Sequence, residues 1–217
     1  MRPGRLVLVL GTGTDVGKTW VSARLLATLR ADGVTVAARK SAQSFDPGDD
    51  RDLLDAAVLA EASGEERTTV CRQSRWYEVA LAPPMAADAL GREQFTLAEL
   101  VAELEWPDPA VEVGLVESAG GVRSPQTHDA DGIAVAEALA PDIVLLVADA
   151  GLGTLNAVRL SLDALPPQIP VLVVLNRFDP GNDVHVRNRD WLTERDGRAV
   201  LTLPGHEAAL AQQVRTG

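Results

Sequence analysis

Lys18 and Lys40 are the only two lysines in a chain of 217 residues; its other 18 basic residues are all arginine. A GC-rich coding bias accounts for the scarcity, and the two survivors stand where a compact ammonium has chemistry to do. Lys18 belongs to Gly11-Thr-Gly-Thr-Asp-Val-Gly-Lys-Thr19, which follows the apolar run Leu6–Leu10 and opens a helical pattern. A glycine-rich turn between a strand and a helix lets backbone N–H groups wrap phosphate oxygens. The lysine adds a positive charge, and the Thr19 hydroxyl is placed to hold Mg²⁺. The implied ligand is a nucleoside triphosphate. The spacing departs from the common P-loop, which has glycine five positions before the Gly of Gly-Lys-Thr. Here Thr12 stands there, between Gly11 and Gly13.

Lys40 closes a second apolar run. Beside a P-loop, a second ammonium stabilises charge on a transferring phosphoryl group or holds an anionic acceptor. Glu117 follows Val113–Val116 and precedes Ser118-Ala-Gly-Gly121. A carboxylate there can bind Mg²⁺, and the glycines let backbone approach a ligand. Asp46, Asp49, Asp50, Asp52 and Asp55 form an acidic cluster. Most read as a solvated loop and helix start; Asp52 is the one expected to complete a magnesium site. His128, His185 and His206 show no metal-ligand spacing. Cys71 is the single cysteine and reads as structural.

The elements that must carry these residues alternate. Strand-like runs lie at 6–10, 34–38, 113–116, 143–147, 171–175 and 199–203, several of them apolar throughout, as strands covered on both faces must be. Helical patterns fall at about 18–31, 51–62, 96–104, 132–139, 155–165 and 207–214. A loop leading into a short helix is expected near Ala82-Pro83-Pro84. The reading is an α/β P-loop domain over 1–217, with a mainly parallel sheet and helices on both faces. Ligands of such sheets bind beyond the C-terminal strand ends. There the chain places the P-loop, Lys40 to Ser44, Glu117 to Gly121, Asp149 to Thr154, Asn176 to Asp179, and Pro204-Gly205-His206.

Composition narrows the function classes. A content of 46% hydrophobic and 24% charged residues is globular. The net charge of −11 argues against a nucleic-acid surface. No apolar run approaches the roughly 20 residues of a membrane span. The run at 6–10 is too short for a secretory signal. With one cysteine and no internal disulfide, a reducing cytoplasm is expected.

Three segments together resemble dethiobiotin synthetase: the P-loop with its longer glycine spacing, Glu117-Ser-Ala-Gly-Gly121, and Gly151-Leu-Gly-Thr-Leu-Asn156. The resemblance covers most of the chain in order and spacing. It implies an ATP-dependent cyclo-ligase acting on 7,8-diaminononanoate and CO₂, with Mg²⁺, as a cytoplasmic homodimer that binds neither nucleic acid nor membrane. By position it implies that Lys18, Lys40, Thr14 and Ser44 are catalytic. ATP would be held by Gly13, Thr14, Asp15, Val16, Gly17, Lys18 and Thr19, with Asn176 reading the base and Pro204 beside the ring. Gly151, Leu152, Gly153 and Asn156, with Ser44, would hold the substrate, the Gly151–Asn156 segment reaching across the dimer interface. Thr19, Asp52 and Glu117 would hold Mg²⁺. Lys40-Ser-Ala-Gln-Ser-Phe45 departs from the family's Lys-Pro-Val pattern. A related P-loop amidoligase on another substrate, a partition-type ATPase acting through protein binding, and a binding domain without catalysis are the alternatives.

Overall fold

The computed structural model describes residues 1–216. In chain order its elements are β1 (Arg5–Gly11), α1 (Lys18–Ala31), β2 (Val36–Lys40), β3 (Gln43–Ser44), α2 (Asp55–Ser63) and α3 (Arg67–Val70). Then follow β4 (Trp76–Tyr77), α4 (Pro83–Ala89), α5 (Leu97–Ala102), β5 (Val113–Gly121), α6 (Gly132–Leu139) and β6 (Ile143–Asp149). The chain ends with α7 (Thr154–Ala164), β7 (Val171–Asn176), α8 (Asp183–Asp190), β8 (Val200–Thr202) and α9 (Glu207–Thr216).

Among the described residues, six strands form one parallel sheet in the order β2-β5-β1-β6-β7-β8. β1 shows why its sequence is apolar throughout. Leu6, Leu8 and Leu10 pack into one core layer, and Val7 and Val9 into the other. The first layer is closed by Ala86 and Ala87 of α4, Leu100 of α5, Val135 of α6 and Val158 of α7. The second is closed by Val21, Leu25 and Leu29 of α1, Leu59 of α2 and Leu210 and Val214 of α9. Side chains alternate across a strand, so a strand between two helical layers needs no polar face. No helix among the described residues is long and apolar enough to cross a membrane.

The crossovers leave β1 between β5 and β6. The chain moves to one side of β1 to build β2 and later to the other side to build β6. That reversal opens a crevice at the C-terminal end of β1, where the P-loop lies. β2 is an edge strand. Its edge is covered by Glu65, which accepts from the Ala38 N–H at 2.7 Å and pairs with Arg39 at 2.8 Å. Glu65 thus occupies one of the edge's free N–H groups.

β2 lies two residues later than the apolar run at 34–38, α3 is a single turn without a sequence pattern, and the other differences are larger. β5 runs through Gly121 rather than stopping at Val116, because Glu117 has ladder partners on both sides, Val9 and Lys40. α2 starts at Asp55 rather than near Arg51. The preceding residues spend their backbone on a turn in which Asp50 accepts from Asp52 N–H and Asp49 from Asp46 N–H. The two-residue strands β3 and β4 are too short to leave a pattern. α8 is polar nearly all round, with Asn188 its one buried residue, so no apolar period announces it; Asn182 caps it instead.

Candidate active site

The P-loop is built by local backbone demands. Gly17 has φ +87°, and a Cβ there would collide with the Asn176 side chain. Only glycine meets both conditions without strain. Gly11 is packed so that a Cβ would lie 2.7 Å from the Gly13 carbonyl. α1 begins with no side-chain cap and no acidic residue in its first turn. Its N–H groups and positive dipole end are therefore left for an anion. Lys18 is buried and its Nζ donates to the Gly13 carbonyl at 3.2 Å, across the loop. Burial, and then the nearby Lys40 ammonium, push its pKa down to about 8.

Below the loop, two strands and two helices bring four charged or hydroxyl groups together. Lys40 Nζ lies 2.6 Å from Asp55 Oδ2 and 2.8 Å from Glu117 Oε1, and donates to the Ser118 carbonyl at 3.2 Å. The Thr19 hydroxyl lies 2.7 Å from both Asp55 Oδ1 and Glu117 Oε1. Glu117 is fully buried and Lys40 nearly so. Burial opposes the Lys40 charge, but the two carboxylates outweigh it and hold its pKa above the ordinary lysine value. Burial likewise opposes the Asp55 charge, and Lys40 with the Thr19 hydroxyl holds that carboxyl below the ordinary range. Within the cluster one ammonium faces two carboxylates, and the Lys18 ammonium acts on both through space.

Thr14, Asp15, Gly17, Lys18, Thr19, Lys40 and Ser44 line one cavity of about 650 Å³. Its far wall comes from Leu81, Ala82 and Pro83, the residues leading into α4. Gln43 Nε2 and Ser44 Oγ of β3 are buried without a protein partner. Asn156 lines a neighbouring groove, and Thr14 and Ser124 line both spaces. Gly151 to Gly153 lie outside the cavity. Gly151 N–H is taken by Asp149 at 2.8 Å, and Gly153, with φ +90°, opens α7 without a side-chain cap. Asn176 donates to the Val16 carbonyl at 3.0 Å and so braces the P-loop. Pro204 lies exposed beyond β8. Arg177 ties Asp15 to Asp149 at 3.2 and 3.1 Å.

Asp52 is not brought to this cluster. Its side chain is 76% exposed and pairs with Arg67 at 2.7 Å. Asp55 takes the place expected for it, because α2 starts one turn later and points its first residue at Lys40. The acidic cluster by itself does not say which aspartate meets Lys40; that depends on where α2 begins. Ser22, three residues after Thr19 and so on the same helix face, also reaches Glu117 and was missed.

A family of AAA domains matches residues 5–207. ATP-dependent dethiobiotin synthetase BioD of Anaeromyxobacter dehalogenans is 36% identical over 97% of this chain and 94% of its own length. The protein of that name from Haloferax mediterranei is 37% identical, over 90% of this chain and 82% of its own. That from Caulobacter vibrioides is 40% identical, over 80% of both. The chain belongs to the dethiobiotin synthetase family. The family match spans β1 to the start of α9, and so includes every residue of the cluster around Lys40. A solved Borrelia burgdorferi B31 structure, named as a plasmid partition protein and bound to AMPPNP, shares the fold at TM-score 0.53. Its identity is 13%, over 94% of this chain and 89% of that one, a likeness of fold alone.

Proposed function

We propose that this protein is a dethiobiotin synthetase, a ligase that uses ATP to close the ureido ring of dethiobiotin from 7,8-diaminononanoate and CO₂. The observation that carries the reading is Lys40, buried between Asp55 and Glu117 and opening on the cavity lined by Lys18 and Thr19. One amine of the diamine takes up CO₂ as a carbamate. A carbamate carbon is a poor electrophile until one of its oxygens carries a phosphoryl group and can depart as phosphate. Transfer of the γ-phosphoryl group to that oxygen yields ADP and a carbamic-phosphoric anhydride. The second amine then attacks the carbon, the C–N bond closes the ring, and inorganic phosphate departs.

In this reading Lys18 and the free N–H groups of α1 hold the phosphates, and Thr14 and Ser44 lend hydroxyls from opposite walls. Lys40 stabilises charge shared between γ-phosphate and carbamate. Thr19, Asp55 and Glu117 would hold Mg²⁺; an all-oxygen donor set with two carboxylates suits that hard cation. When bound, Mg²⁺ neutralises charge on the transferring phosphoryl group. The uncapped start of α7 beside Asn156 suits the substrate carboxylate. Leu152 and Leu160, 91% and 63% exposed, form the face we assign to a second copy in a homodimer, which light scattering would show as twice the chain mass. A cytoplasmic location is part of the same reading.

The test is phosphate release from ATP. It should require both the diamine and bicarbonate. Tight nucleotide binding with no phosphate release when both are present would remove the synthetase assignment.

A further inference from the structure

Glu117 is a fully buried carboxylate in the middle of the sheet. A charge in that position must have partners for both oxygens. Its Oε1 faces the cluster, taking Thr19 Oγ1 at 2.7 Å and Lys40 Nζ at 2.8 Å. Its Oε2 is held by Ser22 Oγ at 2.7 Å. Ser22 is itself fully buried on α1 and does not line the cavity. A serine hydroxyl carries one proton. Here that proton is committed to Oε2, on the side of the carboxylate away from Thr19 and Lys40.

We propose that Ser22 is a positioning residue, whose hydroxyl pins the Glu117 carboxylate so that Oε1 is presented to the cation and to Lys40. The inference rests on the reading that Thr19, Asp55 and Glu117 hold Mg²⁺. Geometry gives the reason for a serine at this place. Thr19 and Ser22 stand three residues apart on one face of α1, over β5, so one helix sets a hydroxyl against each oxygen of one carboxylate. With Ser22 absent, Oε2 would be left buried without a partner and the carboxylate would turn to share Lys40 or Thr19 with both oxygens. The donor facing the cation would then be misaligned, although no residue touching substrate had changed.

The experiment measures Mn²⁺ binding to the ADP complex by electron paramagnetic resonance, for the parent, Ser22→Ala, Ser22→Thr and Glu117→Gln, with thermal melting of each. Ser22→Ala should weaken Mn²⁺ by about 10- to 100-fold, as loss of an outer partner of a metal ligand does. It should raise the metal concentration for half-maximal turnover by the same factor, and leave ADP affinity in chelator unchanged. Ser22→Thr, which keeps the hydroxyl, should bind Mn²⁺ more tightly than Ser22→Ala even where packing lowers its melting temperature. A fall in melting temperature for Ser22→Ala with parental Mn²⁺ affinity would overturn the proposal and leave Ser22 as a tie between helix and sheet. Parental Mn²⁺ affinity in Glu117→Gln would remove the cation site itself, and the proposal with it.

Discussion

Lys40→Met keeps the apolar length of the side chain and removes its charge. Glu117 is then a fully buried carboxylate with no cation in contact, because Lys40 Nζ at 2.8 Å is its one ion-pair partner among the described residues. Removing one member of a buried pair costs about 3–5 kcal/mol, since the other charge stays desolvated. Two features pull the figure to the lower end. Ser22 still donates to Glu117 and the one Thr19 proton can turn to it from Asp55, and Asp55, the other partner of Lys40, is 37% exposed and screened by water. A loss of about 3 kcal/mol corresponds to about 6–12 °C in melting temperature for a chain of this size. The assay is thermal melting followed by circular dichroism, with the double variant Lys40→Met/Glu117→Gln as the control. The double variant leaves no stranded charge at Glu117, and only the part-exposed Asp55 still lacks its cation, so it should regain at least half of the loss. Turnover should fall by about 10²–10³ in Lys40→Met while nucleotide affinity stays within about threefold. A melting temperature within about 2 °C of the parent would refute the buried-pair argument. Equal losses of turnover and nucleotide affinity would refute the assignment of Lys40 to the transferring group.

Lys18 titrates near 8, below its ordinary 10.5, because burial and then Lys40 oppose its charge. Phosphate binding needs the ammonium, so ADP affinity should be level below pH 8 and fall above it, by up to about tenfold per pH unit. Folding stability runs the other way: between pH 8 and 10.5 the unfolded chain keeps a proton that the fold has lost, so stability from this group rises with pH. Calorimetric titration of ADP from about pH 7 to 9.5 that found constant affinity would count against the lowered lysine. Asp55→Asn should abolish most metal-dependent phosphate release, by about 10²-fold or more, whereas Asp52→Asn should stay within about twofold. Reversed results would restore Asp52 to the metal set.

Much of the fold was legible because it rests on local terms. The apolar run before the P-loop, the Gly-Lys-Thr turn and the helix after it are set by neighbouring residues. α1 spans Lys18–Ala31 and α6 Gly132–Leu139, as their periodicity predicts. The extension of β5 past Val116 is not legible, because it depends on Val9 and Lys40, 108 and 77 positions away, and a ladder partner leaves no mark on the strand's own pattern. α8 leaves no mark in the sequence, since a helix without an apolar stripe is indistinguishable from a loop by period.

The sequence by itself determined which chemistry this protein carries: a phosphate loop at Gly11–Thr19, a second lysine at 40, a carboxylate at 117, and a family signature that joins them. Those follow from residue type and short spacing, which backbone sterics and charge convert directly into local structure. Tertiary structure decided which carboxylate joins Thr19, Lys40 and Glu117. Five aspartates within ten positions are chemically alike. Asp55 is selected because Gln43 accepts the Ala56 N–H at 2.9 Å and helps to seat the start of α2 beside β2. It also decided that Asn176 braces the P-loop and that Ser22 reaches Oε2 of Glu117. Each of these depends on the distance between elements far apart in the chain, and that distance is set by the packing of α1 and α2 on the sheet.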